Sequence, residues 1–215
     1  MHFKVHQPAE NYILLDFGNK INEEINKYMI ALSSCIKHEA VLEVIPAYSS
    51  ILVEFDESKI SSKKLYKYIN SLKPDIAIEQ GKTHIIPVAY GGEFGPDLKH
   101  VAAANNLTKE EVINIHSSNT YRVYMLGFMP GFCYLGGLNS NIACKRKKEP
   151  RLKIPKGSVG IAGQQTGIYP SESPGGWQII GRTTFELYRP KSEEIFPVNA
   201  GDIIIFKPVV NGREL

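Results

Sequence analysis

The sequence lacks the features that mark disulfide-rich, metal-binding and membrane-spanning proteins. Its three cysteines, Cys35, Cys133 and Cys144, form an odd count without CxxC spacing, which argues against a disulfide framework and a zinc site. No run of 18 apolar residues occurs, and the N-terminus lacks the basic start and apolar stretch of a signal peptide. We therefore expect no metal site, no membrane partner and a cytoplasmic location.

Common nucleotide and hydrolase motifs are also missing. There is no GxxxxGK[ST], no GxGxxG after a strand, no GxSxG and no HExxH. The sequence thus shows no nucleotide site or obvious nucleophile of its own, and an ATP-using mechanism would need a partner chain. With 25 basic and 22 acidic residues, the net charge of +3 is too balanced for a general nucleic-acid-binding protein.

The first 80 residues predict a small α/β domain. Its elements are a strand at 12–17, a helix capped by Asn19, a hairpin of 40–45 with 50–55, a helix after Ser61, and a strand at 76–79. The helix after Asn19 places Ile21, Ile25, Tyr28, Met29, Leu32 and Ile36 on one face. This β-α-β-β-α-β order is typical of a ferredoxin-like unit, which we assign to residues 1–83. The segment shows no site, which favours a packing and assembly role.

The pattern changes from His84 onward. A strand from His84 leads into a glycine-rich turn, and helices are predicted at 97–105 and 109–116, the second with a capping box of Thr108 and Glu111. Further short β runs are predicted at 121–126, 158–162, 177–180, 185–188 and 203–206. Short strands separated by turns are typical of a closed or nearly closed β-barrel, here at 84–215. The predicted fold class is therefore α+β.

Residues 127–183 hold 11 of the 18 glycines, 5 of the 13 prolines and the single tryptophan, Trp177. Glycine and proline restrict and direct the backbone, so this composition indicates stiff loops around a concave surface. Trp177 is expected in the core or in a pocket wall, and Arg182 is a candidate partner for a carboxylate.

A basic cluster lies within this stretch, with seven basic residues and Glu149 in the twelve positions 145–156. It is either a solvated loop or a rim that attracts anions. Arg151 is the best anion-binding candidate, because a guanidinium group binds a carboxylate or phosphate with two parallel hydrogen bonds.

Two further positions leave alternatives open. His116 lies at the end of a predicted helix. Either it is an ordinary helix-end residue, whose pKa the helix dipole would raise so that it stays cationic, or it transfers protons in a catalytic site. The segment 163–170 contains Gln165, Thr166 and Tyr169 between turn residues. It is either a loop that hydrogen-bonds a small polar ligand or a tight turn satisfied by its own side chains.

Several sequence motifs resemble one known family. They are YGGEFGPDL at 90–98, the pattern from His116 to Leu138 that includes LGFMPGFCYLGGL, PR at 150–151, IPKGSVGIAGQQTGIYP, SPGGW and IIGRT. In collinear order over residues 84–206, they resemble the KipI / allophanate hydrolase subunit 1 family. Cys133 departs from the resemblance, because the family often has proline there.

The resemblance implies a ferredoxin-like domain followed by a cyclophilin-like β-barrel. It also implies one component of a heteromeric ATP-dependent 5-oxoprolinase, which opens 5-oxoproline (pyroglutamate) to L-glutamate. The implied partners are a second cyclophilin-like subunit, PxpC-like, and a PxpA-like subunit of another fold. ATP, with Mg²⁺, is expected to bind with the partner subunit, and no cofactor is expected on this chain alone.

The resemblance also implies residue roles. His116 and Arg151 are the expected catalytic residues, and the expected substrate-binding residues are Tyr134, Gln165, Thr166, Tyr169 and Arg182. Alternatives stay open: related proteins act on allophanate or similar urea-derived amides, and one member inhibits a sensor histidine kinase. Prolyl isomerase activity rests on fold analogy alone.

Overall fold

The structure is a computed structural model that describes residues 1–19, 22–76 and 81–209. The chain divides into two compact units, Met1–Gln80 and Gly81–Leu215. The predicted helix position Ile21 and most of the predicted strand 76–79 lie outside the described residues. No helix in the described ranges combines the length and the apolarity that a membrane span requires.

The first unit is a four-stranded antiparallel sheet with two helices. Its elements are β1 (Lys4–Ala9), β2 (Tyr12–Asp16), α1 (Glu23–Cys35), β3 (Val41–Pro46), β4 (Ser50–Phe55) and α2 (Ser62–Ser71). The strand order is β1-β2-β4-β3, so β4 lies between β2 and β3, the two strands that α1 connects. The predicted hairpin of β3 and β4 is confirmed.

The hydrophobic core of the first unit follows from the alternation of apolar residues along its strands and from their helical spacing on α1. The buried Met29 and Leu32 of α1, together with Ile36 just after the helix, pack with alternate residues of β2 and β4 such as Leu15 and Val53. The cap prediction was wrong by three residues. Asn22, not Asn19, caps α1, and its Oδ1 accepts hydrogen bonds from the backbone amides of Glu24 and Ile25. Strand β1 was not predicted, because this edge strand is mostly exposed and shows no alternation.

The second unit is built around a closed barrel. Its elements are β5 (Thr83–Tyr90), α3 (Leu98–Ala104), α4 (Lys109–Ser117), β6 (Thr120–Leu126), β7 (Cys133–Gly136), β8 (Arg151–Ile154), β9 (Ser158–Ala162), β10 (Gln165–Ile168), β11 (Ser173–Gly175), β12 (Gln178–Arg182) and β13 (Ile203–Pro208). Seven strands close in the order β10-β7-β6-β13-β5-β12-β9, while β8 and β11 form a separate two-stranded sheet. The predicted closed barrel and α+β class are confirmed.

Helices α3 and α4 pack against each other and against β12 and β13, respectively. Fully buried residues such as Val88, Val123, Leu135 and Ile204 form the core beneath them. The capping box of Thr108 at the start of α4 is present as predicted, with Glu111 as its partner.

Two local predictions for this unit were wrong. Residues 185–188 form no strand; they are a loop that buries Leu187 while its neighbours stay partly or fully exposed. The segment 163–170, predicted as a loop or turn, contains strand β10, which pairs with both β7 and β9. Its glycines indicated a turn, but Gly167 lies within the sheet, where an added Cβ would meet the Cys133 carbonyl oxygen at 2.9 Å.

Candidate functional site

Two cavities flank the segment 144–150, which we call the basic loop. The larger one, the basic cleft, has a volume of about 830 Å³. Its lining includes Asp97, His100, Gln178 and the run Lys145–Lys148 of the basic loop. A cleft of this volume is in the usual range for small-molecule sites.

Asp97 is the buried anchor of the cleft. Its Oδ2 accepts hydrogen bonds from Arg151 Nη1 and the Ile179 amide, both at 2.7 Å, and its Oδ1 accepts one from Arg151 Nη2 at 2.7 Å. Lys147 Nζ lies 3.4 Å from the same Oδ1. Burial opposes ionisation of Asp97, but the hydrogen bonds from Arg151 and Ile179 and the charges of Arg151 and Lys147 outweigh it, so its pKa is lowered.

The basic loop is tied down by backbone and side-chain hydrogen bonds. The Lys147 amide donates to the Gly176 carbonyl at 2.7 Å, and Cys144 and Gly163 pair through their backbones. Gln178, only 3% exposed, donates from Nε2 to the Lys145 carbonyl at 3.0 Å. These contacts hold four consecutive basic residues along one side of the cleft.

The second cavity, the aromatic pocket, has a volume of about 220 Å³ and includes Phe132, Tyr134, Tyr169 and Trp177 in its wall. Phe132 is the central ring, with centroid distances of 4.8 Å to Tyr134, 5.2 Å to Tyr169 and 5.4 Å to Trp177. Burial raises the pKa of Tyr169 to about 12, so its hydroxyl stays protonated at neutral pH. The prediction of Trp177 as a core or pocket-wall residue is confirmed.

Arg146 joins the two cavities, because it lines both of them. Its Cζ lies 5.9 Å from the centre of the Trp177 ring, within range of a cation–π interaction. The guanidinium group of Arg146 therefore lies beside the Trp177 ring of the aromatic pocket, although Arg146 as a whole is exposed to solvent.

His116 lies apart from both cavities, fully buried in the barrel core. Its ring stacks on Phe206 at 4.7 Å, its Nδ1 is 2.7 Å from the Tyr90 hydroxyl, and its Nε2 is 2.9 Å from Thr166 Oγ1. Burial lowers its pKa to about 3, so the imidazole is neutral at pH 7. The interpretation of His116 as a cation held by the helix dipole was therefore wrong, because desolvation outweighs the dipole.

Tyr90, His116 and Thr166 form a buried series of hydrogen bonds, and the bond that Thr166 makes at its end determines which group donates in each of the others. Thr166 Oγ1 donates to the Gly160 carbonyl at 3.0 Å, so it accepts from His116. His116 therefore carries its proton on Nε2, and its Nδ1 accepts from the Tyr90 hydroxyl. The path runs from half-buried Tyr90 through His116 and Thr166 to a backbone oxygen.

The structure thus separates the residues predicted to share one site. Tyr134 and Tyr169 meet in the aromatic pocket, Arg151 is bound to Asp97, and His116 contacts Thr166 in the barrel. Arg182 places its Cζ 5.6 Å from the Phe94 ring, and Gln165 is half-buried at the start of β10. A single hollow lined by all of them is not observed among the described residues.

Sequence reasoning missed Asp97 and Gln178 as site residues, and it included Arg146 only as a member of the basic cluster. Asp97 lies within the quoted motif YGGEFGPDL, and Gln178 is a polar residue within the otherwise apolar run WQII. A glutamine in a buried strand was the available signal, because a buried amide requires hydrogen-bonding partners. Within the described ranges, no group of three or more His, Cys, Asp or Glu residues is arranged to hold a metal ion.

Residues 3–198 match the family described as "Carboxyltransferase domain, subdomain C and D". The chain is 41% identical to the 5-oxoprolinase B subunit of Bacillus subtilis (strain 168) over 227 residues, covering 95% of this chain and 92% of that protein. It is 42% identical to the 5-oxoprolinase B subunit of Haemophilus influenzae over 177 residues, covering 81% and 82%. It is 26% identical to urea amidolyase of Saccharomyces cerevisiae over 94% of this chain but spans only 13% of that protein.

Solved structures also resemble the chain. The uncharacterized protein PH0987 from Pyrococcus horikoshii is 45% identical, with a TM-score of 0.60 over 98% of this chain and 99% of that one. TTHA0988 is 33% identical, with a TM-score of 0.85 over 93% of this chain. The chain spans 40% of the length of TTHA0988.

Proposed function

Because the chain belongs to the family of carboxyltransferase domains, subdomains C and D, we propose that it is one component of an ATP-dependent complex that opens 5-oxoproline to L-glutamate. The observation that carries the proposal is the 41% identity with the 5-oxoprolinase B subunit of Bacillus subtilis over 95% of the chain. The basic cleft supports it, because an anionic substrate needs a concave wall that carries positive charge.

The lactam of 5-oxoproline is a resonance-stabilised amide, so its opening is coupled to ATP in this proposal. The described residues do not fit an ATP–Mg²⁺ site. They include no cluster of carboxylates for the metal, and the sequence has no phosphate-binding glycine loop. We therefore assign ATP and Mg²⁺ to the partner subunits, and to this chain the binding and orientation of the substrate.

The expected site residues take distinct parts in the proposal. Tyr134 and Tyr169 contact the ring of the substrate in the aromatic pocket, while Arg151 positions the basic loop through Asp97. Gln165, Thr166 and Arg182 remain proposed substrate-binding residues. The proposed effect of Thr166 on the substrate is indirect, through its hydrogen bond with His116.

Because His116 has no exposed atom, its proposed catalytic proton exchange passes through the Tyr90 hydroxyl. His116→Ala is then expected to lower turnover of the complex about 100-fold or more. Tyr90→Phe, which removes only the hydroxyl, is expected to do the same. Normal turnover of Tyr90→Phe would mean that His116 serves packing alone.

We also propose the finer assignments of fold, partners and location. Residues 1–83 form a ferredoxin-like domain, supported by the β2-α1-β3 connection around β4. Residues 84–215 form a cyclophilin-like barrel that assembles with PxpC-like and PxpA-like subunits in the cytoplasm. Co-purification of tagged chain with both subunits, and fractionation of the cells, test these assignments.

The decisive experiment is co-expression of the chain with PxpA-like and PxpC-like subunits, followed by an assay of 5-oxoproline-dependent ATP hydrolysis and glutamate formation. We expect activity only when all three chains are present. An assembled complex that hydrolyses no ATP with 5-oxoproline would contradict the proposal. In that case, loss of sensor histidine kinase autophosphorylation on addition of the pure chain would identify a regulator instead.

A further inference from the structure

We propose that the first unit carries a self-complementary surface, through which the chain binds a second copy of itself. The surface is the side of the four-stranded sheet that carries Lys4 of β1, Leu14 of β2, Leu52 of β4, and Glu43 and Ile45 of β3. We call it the open sheet face. The inference concerns self-association and does not depend on the proposed function.

Strand alternation assigns these side chains to the side of the sheet that faces away from the helices. The opposite side packs with α1 and α2 in the hydrophobic core and includes Val5, Leu15, Val53 and Val44. Since successive side chains of a strand point to opposite sides, their neighbours Lys4, Leu14 and Leu52 point away from that core. His6 Nε2 lies 3.5 Å from Asp16 Oδ2 on the neighbouring strand, as expected for side chains of one face.

An apolar row crosses the middle of the open sheet face. Leu52 pairs with Leu14 on one side and with Ile45 on the other, so three apolar side chains lie in line on adjacent strands. Ile45 is 39% exposed, and Leu14 and Leu52 are half-buried. A continuous apolar row in contact with water marks a surface that gains stability when another protein covers it.

Unpaired charges of opposite sign flank this row. Glu43 lies directly opposite Glu54 on the adjacent strand, where like charges repel each other. Lys4 lies on the other edge strand and at the other end of the strands, level with Asp16. Lys4 and Glu43 are exposed, and neither forms an ion pair within the ranges that the structure describes. The face therefore has a cation at one corner and an excess of negative charge at the diagonally opposite corner.

A two-fold axis in the plane of the contact brings these corners together. By standard strand geometry, Lys4 and Glu43 are separated by about 14 Å across the strands and about 14 Å along them. An axis along the other diagonal therefore exchanges the two corners, and the two sheets cross at about 90°, one of the two usual packing angles. Leu14 and Leu52 then lie beside the axis and pack on their own copies.

Charge complementarity selects a second copy of this chain as the occupant. In the two-fold arrangement, Lys4 of each copy meets Glu43 of the other, so two ion pairs form and the repulsion between Glu43 and Glu54 is relieved. The same face thus supplies both halves of the contact. A partner of another sequence would have to provide an apolar row and two corners of matching charge.

The test is sedimentation equilibrium of the pure full-length chain over a series of concentrations. We expect a reversible equilibrium between monomer and dimer for the wild type. Lys4→Glu and Glu43→Lys are each expected to weaken the dimer at least about tenfold, because each sets like charges against each other twice per dimer. An equimolar mixture of the two variants, and the double variant, are expected to recover the wild-type affinity, because the ion pairs form again with their signs exchanged.

Matched variants test the apolar row and control for changes elsewhere. Ile45→Ser is expected to weaken the dimer about tenfold, because it removes an apolar side chain from the row. Ile85→Ser makes the same change at an exposed position of β5, and Lys63→Glu makes the same charge change as Lys4→Glu on α2. Both controls are expected to dimerise like the wild type. Thermal denaturation checks that every variant is folded.

Four outcomes would overturn the inference. One is a pure wild-type chain that stays monomeric at every concentration. A second is a dimer that Lys4→Glu and Glu43→Lys leave unchanged, since the copies would then meet through another surface. A third is weakening by the single variants without recovery in their mixture, since the two corners would then not be in contact.

The fourth outcome identifies a different occupant. If the pure chain is monomeric and Lys4→Glu instead loses association with the PxpC-like or PxpA-like subunit, that subunit covers the open sheet face. Turnover of 5-oxoproline by the assembled complex decides the proposed function separately. A dimer with the expected charge behaviour supports the inference even if no turnover is found.

Discussion

Arg151 binds Asp97, which lines the basic cleft, through two parallel hydrogen bonds, each of 2.7 Å. The guanidinium group predicted to bind a substrate anion is thus already neutralised by a carboxylate of the chain itself. The available positive charge lies on the neighbouring loop residues, of which Arg146 also contacts the aromatic pocket.

Asp97→Asn is expected to lower the free energy of unfolding by about 3 kcal/mol at pH 7, because Arg151 is left as a half-buried charge without its partner. Urea denaturation measures the change, with Glu57→Gln, an exposed site, as the control. The pKa of Asp97 is lower in the folded state, so its contribution is complete above its unfolded pKa of about 3.9 and is lost as the pH falls through the folded pKa. The assignment would be contradicted if the difference in unfolding free energy between Asp97→Asn and the wild type were the same at pH 7 and in strong acid.

His116 is expected to make the protein less stable in mild acid. Its pKa is about 3 in the folded chain and about 6.5 in the unfolded chain, so below pH 6.5 only the unfolded chain takes up the proton. At pH 5 the loss amounts to about 2 kcal/mol relative to neutral pH. His116→Gln removes this component, and its unfolding free energy should vary less between pH 7 and pH 5 by that amount. The same pH dependence in both proteins would show that His116 is protonated when folded.

Gly95 is expected to tolerate no side chain. An added Cβ would overlap the Ile180 carbonyl and lie 2.6 Å from the Gly91 amide nitrogen. Gly95→Ala should therefore cost about 3 kcal/mol or more, as measured by urea denaturation. Gly92→Ala, in the same turn, meets no atom within 4 Å and has φ of +54°, so only the backbone cost of about 1 kcal/mol is expected. Equal costs for the two variants would exclude this steric explanation.

Phe128 is expected to carry backbone strain next to the aromatic pocket. It has φ of +69°, is 64% exposed, and contacts Phe132 with ring centres 5.5 Å apart. Phe128→Gly relieves the strain and should be more stable by about 1 kcal/mol than Phe128→Ala, which removes the same ring but keeps the strained conformation. Thermal denaturation of the two variants makes the comparison. A Phe128→Ala variant as stable as Phe128→Gly would show that the loop relaxes without strain.

Local patterns of the sequence determined much of the fold. The helical spacing of Ile25, Met29 and Leu32 predicted the inward face of α1, and the capping box of Thr108 predicted the start of α4. These features depend on residues three or four positions apart. The short β runs after residue 158 likewise predicted a barrel, because alternation and turn residues act locally.

Tertiary structure decided the sites. Whether His116 is a cation at a helix end or a neutral base in the core depends on Tyr90 and Thr166, which lie 26 and 50 positions away. The partner of Arg151 is Asp97, 54 positions earlier in the chain. Composition and periodicity do not reveal which residues far apart in the sequence come into contact, because burial and charge pairing arise only when the barrel closes and brings remote strands together. The sequence by itself therefore determined which elements form and which residue types are at hand, and the closed barrel decided which side chains face a ligand and which serve one another.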